Sequence, residues 1–175
     1  VTVKRQVNGE ISRFMLTKLA VGDTLTAVEP AGRFVVKSFE PEKDIFFFAA
    51  GSGITPVFSQ LKYILKREGK SKLTLIYSNK DVSVLFKSEL DELAKKHPER
   101  LKVIYLISSE GKRLNNDGVE RLVIQNLKFE LDRAEFYTCG PFAYMRMVRL
   151  TRIYIGVDPG KIRGENFGIG TITVA

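Results

Sequence analysis

The segment Ala50-Gly51-Ser52-Gly53-Ile54-Thr55-Pro56 sets two glycines one residue apart, directly after the apolar run Ile45–Ala50. Glycines at such a point permit positive φ and let a ligand come close to the backbone. Thr55 is expected as the N-cap of the following helix, and Pro56 as a first helical residue that needs no amide hydrogen. The free amides and positive end of that helix then favour a pyrophosphate. A tight strand–helix turn with no ligand would use similar residues, and Pro56 stands where a dinucleotide fingerprint has its third glycine. The strand before and helix after are the context that a nucleotide site requires. A second segment, Tyr137-Thr138-Cys139-Gly140-Pro141 with Met145 beyond it, repeats the pattern. Gly140 removes side-chain bulk and Pro141 starts a helix. Cys139, at a strand's carboxyl end, either faces the same crevice as Gly51 and Thr55 or is a small buried apolar residue. A third strand ends Tyr77-Ser78-Asn79-Lys80-Asp81, where a dinucleotide's adenosine ribose is met about 20 residues past the glycines. Ser78 and Lys80 suit a 2′-phosphate and Asp81 a free ribose hydroxyl, so the choice between NADP and NAD stays open; a solvated loop is the alternative.

Other chemistries are poorly supplied. One cysteine and one histidine exclude an internal disulfide, and Cys139 with His97 builds neither a structural zinc site nor an iron–sulfur cluster; no metal is expected. His97 lies on the polar stretch Ala94-Lys95-Lys96-His97-Pro98 and reads as a solvated helix-end residue. The net charge of +8 comes from Lys and Arg spread along the chain, with no interleaved basic and aromatic residues, which argues against nucleic acid. No apolar run approaches the roughly 20 residues that cross a bilayer. The start Val1-Thr2-Val3-Lys4-Arg5 reads as a strand and not as a signal peptide, in a processed chain or a piece of a longer one. A reducing, cytoplasmic compartment fits the cysteine usage.

The elements that position these residues fall into two regions. Residues 1–40 hold short strand-like runs, Val1–Arg5, Thr24–Glu29 and Arg33–Ser38, punctuated by turns at Asn8-Gly9, Val21-Gly22-Asp23 and Pro30-Ala31-Gly32. A short helix, Ser12–Leu19 with Ser12 as N-cap, lies between the first two. This is part of an antiparallel β-barrel, too little to close a sheet alone. In residues 41–175 the pattern alternates. Strands Ile45–Ala50, Leu73–Tyr77, Val103–Ile107 and Glu135–Cys139 are separated by helices Val57–Arg67, Leu85–Lys96 and Gly118–Asn126, and followed by Phe142–Tyr154. Strand–helix alternation specifies an α/β fold, a doubly wound parallel sheet with helices on both faces. Ligands in such sheets bind outside the carboxyl ends of the strands.

Taken together, Ala50–Pro56 and the downstream Tyr137–Pro141 with Met145 resemble the paired signature of the ferredoxin-NADP reductase superfamily, which includes flavin reductase components of bacterial oxygenases and flavohaemoglobin reductase domains. Val3-Lys4-Arg5 with Gly9-Glu10-Ile11-Ser12 is similar to the segment that holds the flavin pyrophosphate there, and Pro30-Ala31-Gly32-Arg33-Phe34 to the turn closing the flavin barrel. Glu165-Asn166-Phe167 resembles the acidic–aromatic element near the isoalloxazine. The resemblance implies FAD on Val3, Lys4, Gly9, Ile11, Ser12 and Phe167. It places NADP or NAD on Gly51, Ser52, Gly53, Ile54, Thr55 and Pro56, with Gly140, Pro141 and Met145 alongside. Ser78, Asn79 and Lys80 would meet the adenosine end, Phe86 the adenine. Cys139 would lie beside the nicotinamide C4, with Glu165 nearby, as the catalytic pair. The family's Arg-x-Tyr-Ser/Thr flavin motif has no counterpart between Val1 and Ala175.

What is implied is an NAD(P)H-dependent flavin oxidoreductase that passes electrons to a ferredoxin-like or haem acceptor, the acceptor lying on a partner or on a domain joined beyond Gly168–Ala175. The competing reading is a nucleotide-binding module that has lost the flavin and turns nothing over. A dehydrogenase with its own substrate site is disfavoured, since no Ser–Tyr–Lys or His–Asp acid–base set stands out.

Overall fold

The computed structural model describes residues 2–29, 31–36, 42–67 and 69–167. The chain forms two compact units that divide between Arg33 and Phe34.

In the first unit the described residues form one helix, α1 (Glu10–Thr17), in otherwise irregular chain. The expected strands over 2–5 and 24–29 are not formed: a strand exists only against a partner, and none is paired with them among the described residues. The helix also starts earlier than Ser12. Gly9 is the N-cap, and Ser12 sits one turn inside, its hydroxyl donating to the Gly9 carbonyl at 3.3 Å and accepting from the Gln6 amide at 3.1 Å. Expectations that fall on Val1, Pro30, Lys37, Ser38 and Gly168–Ala175 lie outside the described residues.

The second unit is the expected doubly wound sheet. Its elements in chain order are β1 (Asp44–Ala50), α2 (Ile54–Leu65), β2 (Lys72–Asn79), α3 (Lys87–Lys96), β3 (Leu101–Ile107), α4 (Asn116–Asn126), β4 (Ala134–Cys139), α5 (Phe142–Tyr154) and β5 (Ile162–Glu165). The strands lie in the order β3-β2-β1-β4-β5 and every pairing is parallel. The chain therefore winds outward from β1 through β2 to β3, then crosses back to β4 and winds the other way. Between β1 and β4 the winding reverses, the point at which sheets of this kind take their ligands at the strand ends.

Alternation within each strand decides which helix it meets. Ile45, Phe47, Ala49, Leu73, Leu75 and Tyr77 pack under Ile54, Val57, Leu61 and Ile64 of α2 and Leu90 of α3. Phe46, Phe48, Ile76 and Phe136 pack under Val119 and Val123 of α4 and Val148 of α5. With both faces covered, β1 must be apolar without interruption, and Phe46, Phe47 and Phe48 are all fully buried. Each such ring contributes about 1.5–3 kcal/mol. The buried Asp44 carboxylate anchors the amino end of β1, accepting from the amides of Lys128 at 2.8 Å and Phe129 at 2.7 Å.

Candidate active site

The carboxyl ends of β1 and β4 meet backbone to backbone. After Ala50 the chain makes a single 3-10 turn, Gly51–Gly53, and α2 begins at Ile54 with Gly53 as its N-cap. The helix thus starts ahead of the expected Thr55 cap. Thr55 and Pro56 lie in its first turn, and the Thr55 hydroxyl donates to the Ser52 carbonyl at 3.0 Å instead of accepting an amide. No side chain caps either the 3-10 turn or α2 among the described residues; the Ile54 amide donates back to the Gly51 and Ser52 carbonyls, and Pro56 has no amide hydrogen, which leaves the amides of the turn itself for a ligand. Gly51 has φ +54 and open space where a Cβ would stand. Gly53 has none: a Cβ there would lie 2.1 Å from the Cys139 carbonyl oxygen. A Cβ on Gly140 would lie 2.9 Å from that of Ala50. The two glycine-bearing segments therefore form one surface across the reversal point. Pro141 is the N-cap of α5, just ahead of its first residue Phe142.

Two tyrosines hold this surface from opposite faces of the sheet, and neither stood out in the sequence. The buried Tyr77 hydroxyl donates to the Gly51 carbonyl at 3.0 Å. Burial pushes that phenol up to about 12, opposed in part by the nearby Asn79 side chain and Leu85 backbone, so it serves as a neutral donor. From the other face the Tyr144 hydroxyl donates to the Ala49 carbonyl at 3.3 Å and accepts from Ser78 at 3.5 Å. Both tyrosines lie on apolar stripes, where an aromatic reads as core. The usable signal was a phenol at a strand's carboxyl end and one near the start of a helix, within reach of the same turn.

Cys139 pairs in register with Ala49 on one side and Glu165 on the other. It is fully buried, and burial, then the charge of Glu165, pushes its thiol up to about 12. The neutral thiol is therefore the form present at physiological pH, unlike the low-pKa cysteines that act as nucleophiles. In the folded protein Cys139 should resist iodoacetamide at pH 8 while guanidinium-unfolded chain is alkylated, as read by intact mass; equal rates would place the thiol elsewhere. Met145 reaches the same edge, its Cε lying 2.9 Å from where a Cβ on Gly164 would stand. Phe167, beyond β5, is exposed.

At the end of β2, Ser78 is half-buried and Asn79 buried, and the Asn79 Nδ2 has no hydrogen-bond partner among the described residues. Lys80 is exposed, with its carbonyl accepting from the Ser109 amide at 2.9 Å. Asp81 turns into its own loop, accepting from the Ser83 amide at 3.0 Å. Phe86 stacks on Phe58 at 4.8 Å and packs against the core under α2 and α3. It caps α3 with φ +57, a left-handed conformation that a bulky residue adopts only when its surroundings hold it. Val3, Lys4, Gly9, Ile11 and Ser12 belong to the first unit, where no side chain caps α1.

Residues 47–150 match the family described as oxidoreductase NAD-binding domain. Over 95% of its length the chain is 36% identical to the ferredoxin reductase component of 3-ketosteroid-9-alpha-monooxygenase from Rhodococcus rhodochrous, covering 46% of that protein. It is 32% identical over 96% of its length to the flavohemoprotein of Schizosaccharomyces pombe, covering 41% of it. The chain thus spans less than half the length of these curated relatives. Among solved structures it resembles the cytochrome b5 reductase domain of Ulva prolifera nitrate reductase with a TM-score of 0.75 at 26% identity, covering 90% of this chain and 64% of that one. No helix among the described residues is long and apolar enough to cross a membrane.

Proposed function

The chain belongs to the oxidoreductase NAD-binding domain family, and from that premise we propose that it is the nucleotide-binding part of a flavin-dependent reductase that feeds an iron–sulfur or haem acceptor. The observation that carries this reading is the joint surface of Gly51–Gly53 and Cys139–Gly140 at the reversal point of the sheet. Bound there, NAD(P)H would supply a hydride, and a bound FAD would supply the conversion of that electron pair into single electrons for the acceptor. The names of the relatives, a ferredoxin reductase component and a flavohemoprotein among them, support the same direction of electron flow.

The residues present fit the nucleotide. Open space over Gly51 admits a pyrophosphate to the amides of the turn, at the amino end of α2. The unpartnered Nδ2 of Asn79 offers a donor at the neighbouring strand end. Ser78 and Lys80 remain for the adenosine ribose, while Asp81 spends its carboxylate on Ser83, which favours NADPH. Cys139 would back the nicotinamide as a neutral thiol, with Glu165 beside it, so the hydride-donating carbon is held without a competing nucleophile. In the first unit the uncapped start of α1, Gly9 to Ser12, would take the flavin pyrophosphate. A specific observation favours the second reading, a module that binds nucleotide without turnover: no strand is paired among the described residues of the first unit.

The two are separated by the visible spectrum of the purified chain with FAD, before and after anaerobic NADPH. The reductase reading expects bound flavin that bleaches on addition of NADPH. Bound NADPH without bound or bleaching flavin would leave the module, and no bound nucleotide would remove both.

A further inference from the structure

One charged side chain lies deep beneath this surface. Arg152 of α5 is 0% exposed, and its Nε donates to the Val148 carbonyl one turn back at 3.0 Å. Both terminal guanidinium nitrogens are buried without a hydrogen-bond partner among the described residues. Among the described residues no carboxylate forms an ion pair with it. Its guanidinium lies 5.5 Å from the ring centroid of Phe48 and 5.4 Å from that of Phe136, contacts that offset only part of the cost of a desolvated cation. Burial pulls its pKa down to about 9, which leaves it a cation at neutral pH.

The position of this charge carries the inference. Phe48 lies two residues before the strand end Ala50, and Phe136 three before the strand end Cys139. At the rise of a strand the guanidinium is therefore on the order of 7–10 Å below the strand ends and about 12 Å from a phosphate above the turn. Tyr144 lies two helical turns before Arg152 on the same side of α5. Its hydroxyl joins Ala49 and Ser78, so the residue nearest the crevice on that face stands over the buried cation.

Resting on the nucleotide-binding reading above, we propose that Arg152 is a positioning residue for the anionic cofactor: a fixed positive charge under the crevice, kept at a cost to stability and compensated when phosphates land on the turn. It acts through the low-dielectric interior and through Tyr144, and touches no ligand. At an effective dielectric of ~20 a unit charge ~12 Å away changes the affinity for a singly charged group about tenfold. The effect then grows with ligand charge and, being buried, resists salt.

The test compares wild type, Arg152→Met and Arg152→Lys against adenosine, AMP and NADPH, by titration at low and at 0.5 M salt (about 4 Å of screening length), with thermal melts of the free proteins. Arg152→Met should melt higher by about 2–5 °C, since an unpaired buried charge is gone. It should bind adenosine like wild type, AMP about tenfold more weakly and NADPH more weakly still, with Arg152→Lys keeping most of the affinity. A purely structural role predicts a lower melt and equal losses for all three ligands, and that result overturns the inference. So does unchanged NADPH affinity in Arg152→Met. Wild type that binds none of the ligands overturns the nucleotide-binding reading, and the inference with it, which sets that failure apart from the others.

Discussion

Gly53→Ala should both destabilise the protein by about 3 kcal/mol and weaken NADPH binding about 100-fold, in thermal unfolding and nucleotide titration respectively. Local propensity predicts the opposite. Gly53 has φ −62° and ψ −9°, a helical conformation open to any residue, and alanine is the better helix former by about 1 kcal/mol. Space decides instead. The added methyl carbon would meet the Cys139 carbonyl oxygen at 2.1 Å, its carbon at 2.5 Å and the Gly140 nitrogen at 2.9 Å. All three are backbone atoms of a strand end, and no rotamer change clears them. Either the start of α2 lifts from β4 or β4 shifts in the sheet, and both move the amides offered to a pyrophosphate. Gly51→Ala is the control. Its Cβ meets nothing within 4 Å, but φ +54 is strained for alanine, so about 1–2 kcal/mol should be lost, with a smaller effect on affinity. A Gly53→Ala variant that melts and binds like wild type would mean that the two segments do not touch in solution.

The contrast between those two glycines marks how far a sequence speaks for a site. Both were legible as turn residues, because a buried apolar run ended on them and a helix followed. Which one is there for conformation and which for clearance depends on Cys139 and Gly140, more than eighty residues away. The same division holds for the fold. Four strands and the four helices of the second unit were readable from apolar runs and helical spacing, with ends displaced by a few residues, as with α2 starting at Ile54 and not Val57. The fifth strand, Ile162–Glu165, was not. Ile-Arg-Gly-Glu has no apolar run, lies at the sheet edge and owes its form to pairing with β4. Arg152 was readable in principle. It lies four residues after Val148, on the inward stripe of α5, but an arginine among Arg146 and Arg149 passes for surface until the helix is docked. Short strands of the first unit were over-read for the converse reason: alternation implies a strand only where a second one is present to pair with it.

The other large effect concerns stability and leaves the crevice alone. Glu135, near the amino end of β4, accepts from Lys43 at 2.8 Å, from Arg163 at 3.1 Å and from the Tyr137 hydroxyl at 2.7 Å. Lys43 precedes β1, and Arg163 is on β5, so one carboxylate ties three neighbouring strands together. Glu135→Gln should cost about 3 kcal/mol, because it leaves the Lys43 ammonium, 9% exposed at its side chain, buried without its counter-charge. The loss should be pH-dependent in a defined sense. Burial alone raises the Glu135 pKa. The hydrogen bonds of Lys43 and Tyr137 and the charges of Lys43 and Arg163 outweigh it and hold the group below its ordinary 4.5. A carboxylate depressed on folding stabilises the native state above its unfolded pKa, and that contribution disappears as pH falls through the folded value. Wild type should therefore lose stability below about pH 4.5 more steeply than Glu135→Gln in denaturant melts across pH. The double change Lys43→Met with Glu135→Leu removes both main charges and should recover much of the lost stability, since an apolar pair of similar volume replaces a buried ion pair at little cost. NADPH affinity, measured at pH 7 on the folded fraction, should be the same in all three, because the network sits at the end of the sheet opposite the glycine turns. Melting curves that run parallel across the acid range would show that Glu135 is not the group that titrates.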